Sequence, residues 1–295
     1  MTKTLQNLPF VTASTIWFAL TAFAVPADLM EDSPVRFPEK GALPSKYPPD
    51  VRVERFPSEP DYFLFESPCR SLDQIDKIQA EMIPGHFTPP PTDWQPLPRT
   101  RRVLNEGGSL HVLGLGDSIV NDTMRSGWLA KLQEVYPKAT IRGTVYVRGG
   151  GGCHHYREEN RIARYLVPLK PDLVFIGGIS QRSVDDIRVV IDQLRAELPE
   201  VEILLANGTF GAADPRDPAE LEKINDPEGY TQSLSKLAVE QRCAMLDMRT
   251  PWIEYLRSTG VHPHLFYRDR VHANEFGEQI LSKILLAFLL LNPSE

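Results

Sequence analysis

The chain has 295 residues, 42% of them hydrophobic and 24% charged, with a formal net charge of −7 when histidine is neutral. That length holds one large domain, or one domain with an accessory segment, and the composition is that of a globular protein. The acidic balance and the lack of any Lys/Arg-rich run give no support to nucleic-acid binding.

The first residues read as a secretory signal over 1–27. Lys3 is a basic start, 8–25 is apolar and uncharged, and Ala22-Phe23-Ala24 offers a small-residue cleavage site, with Val25-Pro26-Ala27 as a second. Acidic Asp28, Glu31 and Asp32 follow at once, which favours a cleaved signal over an anchor. The expectation is a secreted or periplasmic protein with no stable membrane insertion after cleavage.

From Pro26 to Pro98 the composition shifts, and fifteen of the 26 prolines fall there. Proline at that density forbids long helices and interior strands. Phe56, Tyr62, Phe63, Phe65, Phe87 and Trp94 nevertheless argue against a disordered linker. Residues 28–105 therefore read as a proline-rich wrap on the following domain, with one helix over 71–82, where Leu72, Ile75, Ile78 and Met82 keep helical spacing.

From residue 106 onward the chain alternates in the α/β manner. Strands are predicted over 110–115, 141–147, 173–176, 201–206 and 244–247. Helices are predicted over 126–135, 158–166, 184–198, 230–241 and 275–290. Val184, Ile187, Ile191, Leu194 and Leu198 share one face of the third of these. The pattern predicts a mostly parallel five-stranded sheet between helical layers, with its site at the carboxyl ends of the strands.

Two short motifs carry the chemistry. The first strand runs into Gly116-Asp117-Ser118, placing a hydroxyl at the sheet's carboxyl edge. About 150 residues later comes Asp269-x-x-His272. A serine hydroxyl is a poor nucleophile until an imidazole takes its proton, and the imidazole works best when a carboxylate holds its tautomer. Either motif alone is a turn or a helix cap, with Asn274 an N-cap before Glu275. Together and in this order they predict a shared site of Ser118, His272 and Asp269.

On these residues, over roughly 110–291, the chain resembles the SGNH (GDSL-type) hydrolases. The resemblance implies a flavodoxin-like three-layer α/β sandwich and an esterase that needs no cofactor. It makes Ser118 the nucleophile and Asp269 and His272 its partners, with 273–277 continuing the final block in the family's manner. Arg148-Gly149-Gly150-Gly151-Gly152 resembles the second block, whose glycine donates an oxyanion N–H; spacing favours Gly152, with Gly151 the alternative. The third block departs from the family. Ser180 in Gly177-Gly178-Ile179-Ser180 stands where an asparagine is expected, so its hydroxyl, or the amide of Asn207, is left to supply that donor.

Around these blocks, His154 and His155 are expected to line the cleft beside Gly152, with Arg148 and Tyr267 as further substrate-binding residues. Arg157 and Arg161 read more readily as helix salt bridges than as sugar ligands. His154-His155 and His262-x-His264 invite a metal, but spacing completes no coordination shell, and no metal is expected. Cys69, Cys153 and Cys243 make no disulfide framework, and Cys153 reads as a buried thiol.

The reaction expected is hydrolysis of acyl, foremost O-acetyl, esters on a carbohydrate through an acyl-enzyme. A lipid or aryl ester is the alternative within the family. A carbohydrate-binding pseudoenzyme, and a glycoside-cleaving enzyme using two of Asp117, Asp122 and Asp269, are the alternatives outside it.

Overall fold

A computed structural model describes residues 70–291, apart from 182, 209–210, 212 and 225–228, together with the strands Val53–Arg55 (β1) and Tyr62–Ser67 (β2). Residues 1–27, read above as a signal, Cys69 and much of the stretch read as a wrap lie outside the described residues.

Five parallel strands form the centre: Gly108–Gly116 (β3), Ala139–Arg148 (β4), Leu173–Ile176 (β5), Glu202–Ala206 (β6) and Ala244–Leu246 (β7). The sheet order is β1-β2-β4-β3-β5-β6-β7. The predicted five-stranded parallel core is therefore present, and the wrap extends it. β2 pairs antiparallel with β4, from Tyr62 opposite Arg148 to Ser67 opposite Gly143, and β1 pairs antiparallel with β2.

Because successive side chains point to opposite faces of a strand, each central strand serves two helical layers. Leu113 and Leu115 of β3, Val174 and Ile176 of β5 and Ile203 and Leu205 of β6 form one core. Ile187, Ile191 and Leu194 of Val184–Glu197 (the sixth α-helix below) and Leu234 and Leu237 of Tyr230–Glu240 close that core. On the other face Ser118–Arg125 and Trp128–Val135 lie against β3 and β4, and Glu275–Leu289 lies over them. Gly114 permits this close approach, since a Cβ there would stand 2.7 Å from Met124 Cγ.

In chain order the helices are Leu72–Glu81 (α1), Pro98–Glu106 (α2), Ser118–Arg125 (α3), Trp128–Val135 (α4), Cys153–Tyr156 (α5), Val184–Glu197 (α6), Pro218–Ile224 (α7), Tyr230–Glu240 (α8), Arg249–Thr259 (α9) and Glu275–Leu289 (α10). A capping box between Ser71 and Gln74 starts α1, whose Gln79 donates to Gln279 of α10 at 3.0 Å. Pro98 opens α2, where its missing N–H costs nothing. The next N–H groups reach across to the sheet: those of Arg99 and Thr100, and the Thr100 hydroxyl, donate to the buried Glu202 carboxylate of β6. α1 is thus tied to α10, and α2 to the sheet.

β4 and β5 flank β3 on opposite sides, so the chain reverses its direction of travel across the sheet at β3. The loops leaving β3 and its neighbours diverge at such a switch, and the crevice between them is where open α/β sheets place their sites.

Candidate active site

Ser118 is the first residue of α3, directly after β3, and is half-buried. Its Oγ lies 2.8 Å from His272 Nε2, and His272 Nδ1 lies 2.7 Å from Asp269 Oδ2. The second oxygen of Asp269 accepts the N–H groups of Val271 and His272 at 2.7 and 2.8 Å. One carboxylate therefore shapes its own turn and orients the imidazole. Burial alone would raise the Asp269 carboxyl, but those N–H groups and the imidazole outweigh it and hold it below the usual carboxylate range. An ionised Asp269 favours the tautomer with Nδ1–H, leaving Nε2 to accept from the serine.

Asp117, which sequence reasoning considered only as a glycosidase acid, organises the floor of the crevice. It is buried and caps α3 by accepting Ile119 N–H at 2.9 Å on Oδ1. Its Oδ2 accepts Ile179 N–H and Ser180 N–H, each at 2.8 Å. The loop after β3 and the loop after β5 are joined through this one side chain. Gly178, with φ at +94°, makes the approach possible, because a Cβ there would collide with the Asp117 carboxylate.

Gln181 is a second residue with no signal in the sequence. Its Oε1 accepts Cys153 N–H at 2.9 Å and its Nε2 donates to Gly177 C=O at 3.0 Å, tying the glycine loop after β4 to the loop after β5. Gly152 sits inside this clamp, where a Cβ would meet Ser180 C=O at 2.5 Å. Gly151 N–H already donates to Arg148 C=O at 2.9 Å. Ser118, at the first position of its helix, has an N–H with no place in the helical ladder.

Three expectations change. Asn207 is buried and committed elsewhere: its amide donates to Asp247 at 2.7 Å and to Thr231 at 3.2 Å, and its oxygen accepts Met248 N–H at 2.7 Å. It holds the start of α9 and is no oxyanion donor. Tyr267 is buried with its ring edge-on to Trp252, 5.7 Å between centroids, so it supports the loop from beneath and forms no wall of the crevice. Each of the three carboxylates considered for glycoside cleavage is engaged separately, Asp122 by Arg268 at 2.7 Å.

His154 and His155 are half-buried beside Gly152, with the His155 ring edge-on to Tyr156 at 5.5 Å, and Arg148 is half-buried at the end of β4. Arg157 pairs with Asp186 and Glu158, and Arg161 with Glu159, which is the salt-bridge arrangement. Cys153 and Cys243 are buried free thiols. Among the described residues no group of three or more His, Cys, Asp or Glu could hold a metal ion. A cavity of about 760 Å³ lined by Trp94, Arg101, Arg102 and Asn105 lies on the wrap and α2, and none of the triad residues borders it.

No family model and no curated protein matches the chain. Among solved structures, a two-domain esterase active on acetylated mannans superposes with a TM-score of 0.51 at 15% identity, over 67% of this chain and 53% of that one. A co-crystal with mannopentaose of an esterase so described gives 0.51 at 13% identity, over 68% and 54%. The chain thus spans about half the length of the esterase it matches. The likeness is one of fold.

Proposed function

We propose that this protein is a serine esterase that removes acyl groups, foremost O-acetyl groups, from a carbohydrate. The observation that carries the reading is the unbroken chain from Asp269 through His272 to Ser118 Oγ, with both links under 3 Å. A serine in a turn, or an aspartate capping a helix, has no reason to complete such a relay.

Ser118 Oγ attacks the acyl carbonyl while His272 Nε2 takes its proton, and Asp269 steadies the resulting imidazolium. The tetrahedral oxyanion is held by the N–H groups of Ser118 and Gly152 and by the Ser180 hydroxyl. Collapse expels the sugar alkoxide, which leaves with the proton from His272. Water then gives a proton to His272 and attacks the acyl-enzyme. The second collapse releases the carboxylic acid and returns the proton to Ser118. His154, His155 and Arg148 border the same loop and are assigned to the sugar. Every step uses groups of this chain.

The carbohydrate preference is supported by the fold shared with an esterase active on acetylated mannans and by the apolar, uncharged 8–25 segment, read as an export signal. Among the described residues no helix is long and apolar enough to cross a membrane. Incubation with acetylated mannan or xylan should release acetate, and Ser118→Ala should release none while unfolding at the wild-type temperature. Full release by Ser118→Ala would remove the nucleophile assignment. The N-terminus of the mature protein, read by mass spectrometry, should fall near Val25 or Asp28; an intact Met1 on an intracellular product would refute export.

A further inference from the structure

The triad is assembled from two parts of the chain that share no backbone: α3, which begins at Ser118, and the loop before α10, which carries Asp269 and His272. Their alignment to 2.8 Å needs a rigid link outside the triad itself. Asp122 stands one helical turn below Ser118 on α3 and is wholly buried. Arg268 directly precedes Asp269. Its Nη2 donates to Asp122 Oδ1 at 2.7 Å, its Nη1 donates to Ala273 C=O, and its own N–H donates to His272 C=O at 3.0 Å. One guanidinium therefore grips the nucleophile's helix with one arm and the far side of the His272 turn with the other.

We propose that Asp122 and Arg268 form a buried strut that sets the register between Ser118 and His272, making both of them positioning residues for the triad. The inference rests on the serine-esterase reading of the site. Neither side chain belongs to the relay; each acts through the elements that carry it. A guanidinium suits this role because its planar fork holds two acceptors in fixed directions, which an ammonium cannot do.

The charges around the strut are balanced. Glu278 of α10, also buried, lies 3.8 Å from Arg268 and accepts from Arg70 at 2.9 and 2.5 Å. Asp122 thus faces Arg268, Glu278 and, more distantly, His272, with Arg70 offsetting Glu278. Asp122 Oδ2 is buried with no hydrogen-bond partner among the described residues. Burial pushes the Asp122 carboxyl up to about 6, with Arg268 opposing and Glu278 adding to the rise. As pH falls through that value the strut loses its negative end.

The test compares the wild type with Arg268→Lys and Asp122→Asn, using an aryl acetate for kcat and KM, a fluorophosphonate to count and time Ser118 labelling, and thermal unfolding to monitor the fold. Arg268→Lys keeps the charge and loses the fork; kcat should fall about tenfold to a hundredfold with KM unchanged, since misplacement of about 1 Å has that effect. Asp122→Asn has no negative end at any pH and no longer titrates. Its kcat at pH 8 should fall about tenfold with KM unchanged, and its kcat should decline less steeply with acid than that of the wild type.

Wild-type kcat in Arg268→Lys together with an unchanged acid limb in Asp122→Asn would overturn the proposal. So would kcat losses that vanish once rates are divided by the fraction of molecules labelled, because the pair would then serve stability alone. If the wild type itself takes no label, the esterase reading fails first and the strut's role falls with it.

Discussion

Replacing Asp117 by alanine should damage stability and turnover together, and the size of both effects follows from its contacts. The side chain accepts three N–H groups at 2.8 to 2.9 Å while being 1% exposed. A hydrogen bond to a charged group contributes about 1.5 to 3 kcal/mol, and a buried donor left without a partner costs a similar amount. The three donors are not alike. Ile119 is buried, whereas Ile179 and Ser180 border the solvent-accessible crevice, where water can replace the lost acceptor. Counting the first at full value and the other two at about half gives roughly 4 kcal/mol. For a domain of this size that corresponds to a fall in Tm of roughly 8 to 16 °C.

Asp117→Asn keeps one oxygen for Ile179 and Ser180 and turns an amide N–H₂ toward Ile119 N–H. About a third of the loss should therefore appear. Turnover should fall about a hundredfold in Asp117→Ala, because the loops bearing Ser118 and Ser180 are no longer tied to each other. Differential scanning calorimetry and aryl acetate kinetics on the three proteins measure both quantities. A fall of under 2 °C with unchanged kcat in Asp117→Ala would refute the reasoning.

Ser180→Ala should lower kcat about tenfold or more with KM unchanged, since an oxyanion donor strengthens only as charge develops; steady-state kinetics that show no change would demote the serine to a loop residue. Glu202→Ala should lower Tm through about 2 to 4 kcal/mol of lost bonds to Arg99 and Thr100 while leaving kcat alone, because Glu202 opens β6 at the end of the sheet away from the site. Native protein treated with iodoacetamide at pH 8 should show no modification of Cys153 or Cys243 by peptide mass mapping, since burial raises both thiols, Cys243 to about 11.

The parts of the molecule that could be read from the sequence are those whose signal is local. Leu173–Ile176 is a continuous apolar run between turn signals and appears as β5 with the boundaries expected. The two motifs of the triad were readable because each chemistry-bearing residue sits in a short distinctive stretch. β2 was not readable. Tyr-Phe-Leu-Phe lacks alternation and stands among prolines, and only the exposed edge of β4 makes it a strand. Pro98 was counted among the prolines that forbid long helices, although proline in a first turn begins a helix, as it does in α2. α3 went unread because its first residue is the nucleophile and the turn signal of Gly-Asp-Ser hid the helix it starts.

The hidden parts of the site share one property. Asp122 and Arg268 are 146 residues apart, and the reach of Gln181 to Cys153 spans 28. No periodicity or motif records such pairings, which arise only when the loops at the sheet's carboxyl edge are brought side by side. Tyr267 misled for the complementary reason: its place beside the triad in the chain suggested the crevice, whereas the bridge between Tyr267 and Ala273 turns its ring inward.

The central claim is that Ser118 is a nucleophile activated by His272, and covalent labelling tests it most directly. A fluorophosphonate incubated with the wild-type protein should add one adduct, mapped by tandem mass spectrometry to the peptide containing Ser118. The rate should collapse in His272→Ala, because nucleophile and base act as a unit, and in Asp269→Asn it should fall less far, through a misplaced tautomer. No adduct on the wild-type protein, an adduct on another residue, or undiminished labelling in His272→Ala would contradict the account.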